Sequence, residues 1–475
     1  MSLCPIPYIS NMVVYDEWEA ENGCHAQGKE VGDNVAAWPT PTEGKSLTLR
    51  LGEVAPFDVE KRRQSQARDV IRIQAAQDRA DVTHLEVHYT CVDKFVISAL
   101  VGLLTCDQRE WESFTLKGVT EMGDFFASPI SMEDFGPVFD ALPNVKSLNI
   151  YSCTLSRGHG LEGILKRIQN MPQLSELRLR GWQIDSASMQ ELLNGLQIQT
   201  GNTFKLLSLR SCYFAGTDTF EGLVDGLKDL SHIHTLNLSY CELGDYDISY
   251  LVSALSTFSA LRCLHIGGNE CMSMNSVDVL ASWIRSTTTL QDLNLRGLWI
   301  GFSQGQVQRL LDISSFFHSL RDNSSLRVLT LSENYLASID LKKLAVALEG
   351  NSTLTVLDLS HNHFEEEGAN ALLQIVQQSP SLEVVRFENL YCRYRCNDEI
   401  KMHAHFNWVN HRLLQPKDIV TTIWPKALAR VQEKCDNRHH ARDCLPDVLF
   451  RLLRSPSGES GTPLIVSAAM SMSYV

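Results

Sequence analysis

The chain has 475 residues and carries 42 lysines and arginines against 56 aspartates and glutamates, a formal net charge of −14 at neutral pH. Hydrophobic residues make up 44% of it and charged residues 21%, which is enough apolar material for a large core and excludes a wholly disordered chain. The acidic balance argues against nucleic-acid binding, because a polyanion is normally met by a positive surface.

The sequence predicts a reduced protein of the cytoplasm, with the nucleus as an alternative. Its first residues, MSLCPIPYIS, lack the basic and apolar regions of a secretory signal. No stretch approaches the roughly eighteen apolar residues that span a bilayer, so we expect no membrane association. The cysteine count of 13 is odd, which disfavours a fully paired disulfide framework.

Residues 1–40 are predicted to be largely disordered, and residues 41–81 to form an N-terminal cap. The cap would contain a short strand at 46–51 and a charged amphipathic helix at 58–78, which together would shield the first repeat.

An eleven-residue frame, LxxLxLxx(C/N)xL, recurs through residues 82–397. Weaker copies lie at 82–92 and 111–116, and clear copies begin at Val145, Leu174, Phe204, Ile233, Leu261, Leu290, Leu326, Leu354 and Leu382. The central apolar residue recurs every 28 to 30 residues, apart from a step of 36 between Leu293 and Leu329. We expect the extra residues of that step to lengthen a helix or to bulge beyond it.

Each frame predicts a short strand, because apolar residues alternate in it, followed by a turn in which the Cys or Asn satisfies backbone groups. The period then changes to that of a helix, as the stripes Leu161/Ile164/Leu165/Ile168, Met189/Leu192/Leu193/Leu196 and Leu341/Leu344/Leu348 indicate. The fold class is therefore α/β: a horseshoe-shaped solenoid of about 10–11 repeats with a concave parallel sheet and convex helices.

The frame resembles the ribonuclease-inhibitor-like class of leucine-rich repeat, whose units have this length and carry a full helix. The resemblance covers roughly residues 82–392. Trp182 and Leu298 depart from it at the Cys/Asn position, which leaves the geometry of those two turns open.

Residues 398–454 are predicted to form a C-terminal helical cap, with a closing helix at 398–414 and short helices at 423–431 and 448–454. This ending is similar to the WPxxLxRV and VLxxLLR ending of uncharacterised algal and diatom proteins of the same class. Residues 455–475 are predicted to be disordered.

No motif predicts a catalytic, cofactor-binding or metal-binding residue. A GxGxxG match at 158–163 follows a strand expected to end near Ile150, too early for a dinucleotide site, in which the glycines follow the strand directly. Cys/His clusters at 392–411 and 435–444 match no paired CxxC framework, and whether they bind metal stays open.

The third, fifth and seventh positions of the frame point away from the helices, so their side chains are not needed to pack the core. They are basic and aromatic in the early repeats, polar in the middle, and apolar and acidic late. Arginine and tyrosine on a rigid sheet are typical of protein-binding hot spots, although solvated strands also need polar residues. The predicted partner-binding residues are Tyr151, Arg178, Arg180, Arg210, His265 and Arg296, with Trp299 and Tyr335 at the rim.

We therefore expect a monomeric, non-enzymatic scaffold that binds a protein on its concave face and has no cofactor. Guanidinium groups favour an acidic or phosphorylated partner, and no nucleic acid is expected. The alternative is a regulator that activates a small Ran-like GTPase, because Ran GTPase-activating proteins share this repeat type and use a rim arginine. The acidic tail of that family is absent here.

Overall fold

The computed structural model describes residues 46–51, 59–77, 81–89, 92, 94–106, 110–118, 132–156, 161–197, 204–269, 273–298, 313–379, 381–387, 396–397, 399–401, 403–404 and 407, with the backbone alone at 59–63, 132, 152–156 and 274. They all belong to one compact unit that begins at Gly44. The predicted disordered segments 1–40 and 455–475, and most of the predicted C-terminal cap, lie outside these residues.

Strands that follow one another in the chain also lie side by side in one parallel sheet of 13 strands within the described residues. They are β1 (Ser46–Leu51), β2 (His84–Tyr89), β3 (Ser113–Gly118), β4 (Ser147–Ser156), β5 (Glu176–Ile184), β6 (Leu206–Ser208), β7 (Tyr213–Phe214), β8 (Thr235–Asn237), β9 (Cys263–His265), β10 (Asp292–Asn294), β11 (Val328–Thr330), β12 (Val356–Asp358) and β13 (Val384–Arg386). All except β7, which pairs with β5, follow chain order from β1 to β13. The sheet is open, with β1 and β13 as its end strands.

Helices connect the strands and pack in sequence order. They are α1 (Val59–Gln77), α2 (Lys94–Thr105), α3 (Gly136–Asp140), α4 (Leu161–Leu165), α5 (Ser186–Gln197), α6 (Thr217–Asp229), α7 (Asp245–Leu255), α8 (Met274–Ser286), α9 (Ser314–Asp322), α10 (Ser338–Ala347) and α11 (Glu366–Gln378). Short 3-10 helices precede α3 at Met132–Phe135 and follow α4 at Lys166–Asn170.

The core lies between the sheet and the helices. One apolar row crosses the twelve strands other than β7 in unbroken register, from Leu47 through Leu177, Leu236 and Leu293 to Val385. The three apolar stripes predicted for the helices are buried against this row. The α/β solenoid of strand–helix units predicted from the sequence is therefore confirmed. Each unit buries its apolar face on its neighbours, so the core is continuous along the array.

A ladder of side chains at the ninth frame position links the turns. The Asn269 carboxamide accepts from the backbone N–H of Cys241 (2.9 Å) and Leu243 (3.1 Å) and donates to the carbonyls of Leu238 (3.1 Å) and Ile266 (2.6 Å). Asn334 and Asn362 repeat this pattern in later turns. These amides satisfy buried backbone groups of two successive turns at once.

Other residues take the same place in the early repeats. The Cys241 thiol donates to the Leu209 carbonyl at 3.0 Å, and the Trp182 indole N–H donates to the Ile150 carbonyl at 3.1 Å. Trp182 therefore supplies the same bond to the preceding turn as a cysteine does. Leu298 has no polar side-chain group, and its backbone N–H is bound by Asn334 at 2.9 Å.

The eighth frame position is left-handed in repeat after repeat. Its φ lies between +56° and +73° at Gly181, Ser211, Tyr240, Gly268, Gly297, Glu333 and His361. Glycine adopts this conformation without strain, whereas a bulky side chain is uncommon there. The turn therefore places the side chains of non-glycine residues at this position in a direction that strand alternation does not predict.

A second set of asparagines joins the helix ends to the next strand. Asn323, Asn351 and Asn407 are buried, and each donates its side-chain N–H to a carbonyl near the end of the preceding repeat's helix: Ile284 (2.7 Å), Leu320 (3.1 Å) and Val376 (3.2 Å). Asn407 lies beyond β13, so the segment after the last strand makes the same bond as an interior repeat.

Two expectations differ from the structure. The fourth strand does not end near Ile150 but continues to Ser156, with a shift in its register with β5 after Tyr151. In the long step, α9 has nine residues and is not lengthened, and Phe316 and Phe317 are packed in the core. The additional residues precede this helix, in 299–312, which are outside the described part.

We predict that Leu238→Ala lowers the free energy of unfolding by about 2–5 kcal/mol, because its side chain is fully buried and its removal leaves a cavity. The matched control is Leu206→Ala, one strand earlier, whose partly exposed side chain lies at a third position on the other face of the sheet. Urea unfolding would measure both. Equal losses would contradict the assignment of the two faces.

We predict that Asn362→Leu costs about 2–4 kcal/mol, because two backbone N–H groups and two carbonyls lose their bonds to the carboxamide. Asn370→Leu, on the exposed side of α11, is the control and should change stability by less than about 0.5 kcal/mol. If denaturant titration finds the two variants alike, the ladder does not stabilise the turns.

Candidate functional site

The face of the sheet opposite the helices, here called the open face, carries the third, fifth and seventh frame positions. Its fifth-position row runs in register from Thr48 through Asn149, Arg178 and His265 to Arg386. Several of these side chains are buried between neighbouring strands despite being polar. The row is thus an ordered layer of hydrogen-bonding groups that needs little rearrangement on binding.

Arg178 is the most buried arginine of the face, at 8% exposed. Its guanidinium donates to Glu176 Oε2 at 2.7 Å, to Ser147 Oγ at 3.2 Å and to Asn149 Oδ1 at 3.3 Å. The charge of Arg178 is therefore balanced within the chain. Through these hydrogen bonds Arg178 holds the neighbouring side chains of β4 and β5 in place on the open face.

Tyr151, Arg180 and Arg210 occupy the seventh position on three neighbouring strands, as predicted. Tyr151 and Arg180 are direct partners across the β4–β5 pair, and Arg210 follows β6 at the corresponding position. Adjacent parallel strands are about 4.8 Å apart, so the two guanidiniums start from neighbouring Cα positions. The structure therefore brings these three predicted residues into one row.

Burial shifts the pKa of all three side chains. It lowers the pKa of Arg180 to about 10, with the neighbouring charge of Arg210 as a further cause. Burial also lowers the pKa of Arg210, against an opposing effect of Tyr240, and raises the pKa of Tyr151. At neutral pH both arginines remain charged and Tyr151 remains a protonated hydroxyl. The row combines partly desolvated positive charge with a hydrogen-bond donor.

Tyr240 belongs to this site, and sequence reasoning missed it. The Arg210 guanidinium carbon lies 4.9 Å from the centre of the Tyr240 ring, a cation–π contact. The ring also lies against the bare backbone of Gly268, where an added Cβ would be 2.3 Å from the ring. Tyr240 is at the left-handed eighth position, so its side chain turns toward the row. We call Tyr151, Arg180, Arg210 and Tyr240 the arginine–tyrosine cluster.

The other predicted residues that the structure describes have contacts outside this cluster. Arg296 is on β10's repeat, and its guanidinium donates to Glu333 Oε1 at 2.7 Å. His265 lies on β9, with its Nε2 3.7 Å from Asp292 Oδ1. Tyr335 stacks its ring on His363, with 4.7 Å between centroids. Trp299 lies outside the described residues.

Four predicted arginines on one face of the sheet would be expected to repel one another. The repulsion is smaller than this, because two of the four are paired with carboxylates. Arg178 and Arg296 each have a carboxylate within 2.7 Å, and the mutual repulsion is confined to the neighbours Arg180 and Arg210. The sequence pattern did not indicate these carboxylate partners. The partner of Arg178 lies two residues earlier on the same strand, and the partner of Arg296 lies in the next repeat. Glu176 lies at the third position of the same frame and Glu333 at the eighth position of the next one, and the frame does not specify the direction of these long side chains.

Two of the Cys/His residues near the C-terminus are described. Cys396 and His403 are buried beside the last repeat. Among residues that the structure describes, no group of three or more His, Cys, Asp or Glu could hold a metal ion. The remaining residues of both clusters lie outside that part of the chain. Within the same residues, no helix has the length and apolar character needed to cross a bilayer.

Residues 229–252 and 350–373 match the family described as Leucine Rich repeat. These two stretches are therefore leucine-rich repeats. The match falls on two of the units seen in the structure, α6–β8–α7 and the β12–α11 unit, and agrees with the frame that every unit shares. No curated protein sequence matches this chain.

Solved structures show similarity at low identity. A chain in the complex of Rad7 and Elc1 from yeast is 16% identical, with a TM-score of 0.39, and the alignment covers 70% of this chain and 86% of that one. The leucine-rich-repeat-containing protein LegL7 from Legionella pneumophila is 15% identical, with a TM-score of 0.39, and the alignment covers 72% of this chain and 89% of that one.

We predict that Gly268→Ala destabilises the protein more than Gly350→Ala. Both glycines have φ above +70°, so each substitution carries a similar backbone strain of about 1–3 kcal/mol. Around Gly350 nothing lies within 4 Å of the added carbon, whereas at Gly268 the Tyr240 ring must move. We expect an additional loss of about 1–3 kcal/mol for Gly268→Ala in denaturant titrations. Equal losses would mean that Tyr240 is not packed on Gly268.

Proposed function

We propose that this protein is a non-enzymatic scaffold that binds an acidic protein partner through the arginine–tyrosine cluster of its open face. The observation that carries the proposal is the placement of two partly buried arginines and two tyrosines on four neighbouring strands. Arginine and tyrosine are the residue types that contribute most to protein interfaces.

The cluster is suited to an anionic surface. Guanidinium forks donate paired hydrogen bonds to carboxylates, and such bonds strengthen where water is partly excluded. The chain as a whole has a net charge of −14, so long-range forces oppose an acidic partner. Binding would then depend on short-range fit to the cluster, which favours selectivity over fast capture.

The side chains of the open face are also held in place before binding, which reduces the conformational entropy lost when a partner binds. Its residues stand on hydrogen-bonded strands, and the pairing continues beyond them, with the Ser211 N–H bound to the Ser239 carbonyl at 2.8 Å and the Tyr240 N–H bound to the Gly267 carbonyl at 2.9 Å. Arg210 rests on the Tyr240 ring. Side chains held in place before binding lose less freedom when a partner arrives.

The finer assignments belong to the same proposal. The repeat length and helices of nine to thirteen residues in the later units favour the ribonuclease-inhibitor-like class. The bonds of Asn407 to the last repeat favour a C-terminal cap, which would include the ending that is similar to algal and diatom proteins. The strand β1 and the helix α1, which precede the first repeat, support the proposal of an N-terminal cap. We propose a cytoplasmic monomer.

We predict that the double variant Arg180→Glu/Arg210→Glu loses most of its partner capture, because it reverses the charge at the centre of the cluster. Raised salt should weaken capture by the wild-type protein in the same direction. Affinity capture with quantitative mass spectrometry would measure both effects, and thermal unfolding would check folding.

The matched control is Arg386→Glu, on the same face at the far end strand, where the side chain is 56% exposed. It should leave capture unchanged. Capture that survives the double variant would contradict the proposed site. Stimulated GTP hydrolysis by the purified protein across a panel of small GTPases would contradict the non-enzymatic assignment and support the alternative of a GTPase-activating regulator.

A further inference from the structure

A row of basic side chains lies at the edge of the sheet where the strands begin. Lys205, Arg262 and Arg327 each stand immediately before a strand, β6, β9 and β11, and all three side chains are exposed. His234 precedes β8 and Gln291 precedes β10, so these two residues fill the places between the basic ones. We call the five residues the edge row.

Backbone hydrogen bonds hold the edge row in order. The His234 N–H donates to the Lys205 carbonyl at 2.9 Å, and the Arg262 N–H donates to the His234 carbonyl at 2.8 Å. The same bond joins the Gln291 N–H to the Arg262 carbonyl at 2.7 Å and the Arg327 N–H to the Gln291 carbonyl at 2.8 Å. Adjacent parallel strands are about 4.8 Å apart, so the three basic residues recur about every 10 Å over a row of about 19 Å.

The charges of the edge row are available to a ligand. In the part of the chain that the structure describes, no carboxylate forms an ion pair with Lys205, Arg262 or Arg327. Burial lowers the pKa of His234, and the neighbouring charges of Arg262 and Lys205 lower it further, so the imidazole is neutral at neutral pH. The row therefore alternates cationic side chains with neutral ones that form hydrogen bonds.

The spacing of the edge row fits an α-helix that lies along it. The pitch of a helix is about 5.4 Å, so each turn would face one repeat. Side chains seven residues apart share a face of the helix and are about 10.5 Å apart along its axis. Acidic residues at the first, eighth and fifteenth positions would therefore meet Lys205, Arg262 and Arg327. Polar residues on the turns between them would meet His234 and Gln291.

A nucleic acid fits the edge row less well. The net charge of the chain is −14, so long-range repulsion opposes a polyanion more strongly than a helix with a few carboxylates. The edge row also contains no aromatic side chain on which a base could stack. The observations therefore favour an acidic helix of a protein.

We propose that the edge row binds an α-helix of a protein partner that carries acidic residues seven positions apart. This surface is separate from the arginine–tyrosine cluster, because Lys205 and Arg210 stand at opposite ends of the same strand, five residues or about 16 Å of extended chain apart. The proposal goes beyond the proposed function and does not rest on it.

The test is fluorescence anisotropy of two labelled, alanine-rich helical peptides with the full-length protein at low salt. Each peptide carries three glutamates. The matched peptide has them at the first, eighth and fifteenth positions, and the mismatched peptide at the first, sixth and eleventh, which places them on different faces of the helix. We expect the matched peptide to bind about fivefold more tightly, because exposed ion pairs are weak singly and three form together. Raised salt should reduce this difference, and circular dichroism would check that both peptides are equally helical.

Lys205→Gln, Arg262→Gln and Arg327→Gln should each lower the affinity for the matched peptide about twofold, and the triple variant should bind the two peptides equally. The matched control is Lys166→Gln, which removes an exposed lysine from the 3-10 helix that follows α4 and should keep the difference. All these variants should melt at the temperature of the wild-type protein, since the changed side chains are exposed, and this separates loss of binding from loss of folding.

Equal affinities of the wild-type protein for the two peptides would overturn the proposal, as would a preference that survives the triple variant. A single-stranded oligonucleotide or an anionic lipid vesicle that binds more tightly than the matched peptide, and through the same three side chains, would also overturn it. The charge-reversal variant Arg180→Glu/Arg210→Glu should keep the preference for the matched peptide. Loss of the preference in that variant would place the helix on the arginine–tyrosine cluster and contradict a separate surface at the edge row.

Discussion

Every unit of this protein must satisfy the buried backbone groups of the turn that follows its strand, and the rest of the structure depends on how it does so. The carboxamides of Asn269, Asn334 and Asn362 bind donors and acceptors of two successive turns. Because several of these bonds join one repeat to the next, they fix the register in which strands stack. The same register sets which side chains become neighbours on the open face.

That dependence explains why the site lies where it does. Tyr151, Arg180 and Arg210 come from segments about thirty residues apart in the chain and meet only because the turns hold their strands level. Tyr240 joins them through the turn itself, since its position is left-handed in each unit that the structure describes from Gly181 to His361. The hydrogen bonds and backbone conformation of the turns therefore determine which side chains meet on the proposed binding surface.

Sequence periodicity predicted the strands, the helix stripes and the parallel order well, because these follow from burial of alternating and helical apolar positions. It predicted that Tyr151, Arg180 and Arg210 would share a row, because the frame fixes their register. It did not predict the cation–π contact of Arg210 with Tyr240, because a left-handed residue breaks strand alternation.

The pairing of Arg178 with Glu176 and of Arg296 with Glu333 was also missed. Long side chains reach across positions, and their final rotamers depend on neighbours that the frame does not specify. Of the two expectations for the step of 36 residues, a longer helix is not seen, since α9 is short and its phenylalanines are in the core, and a bulge would fall on residues outside the described part.

Asn407 makes to the last repeat the bond that Asn323 and Asn351 make inside the array. A terminal segment that is bound through the interior contact does not depend on how many units precede it. Units could therefore be gained or lost by duplication or deletion of whole segments between equivalent asparagines, and the segment that carries Asn407 would still find its carbonyl. The number of repeats could therefore change during evolution without a change in the hydrogen bonds that attach the segment after the last strand.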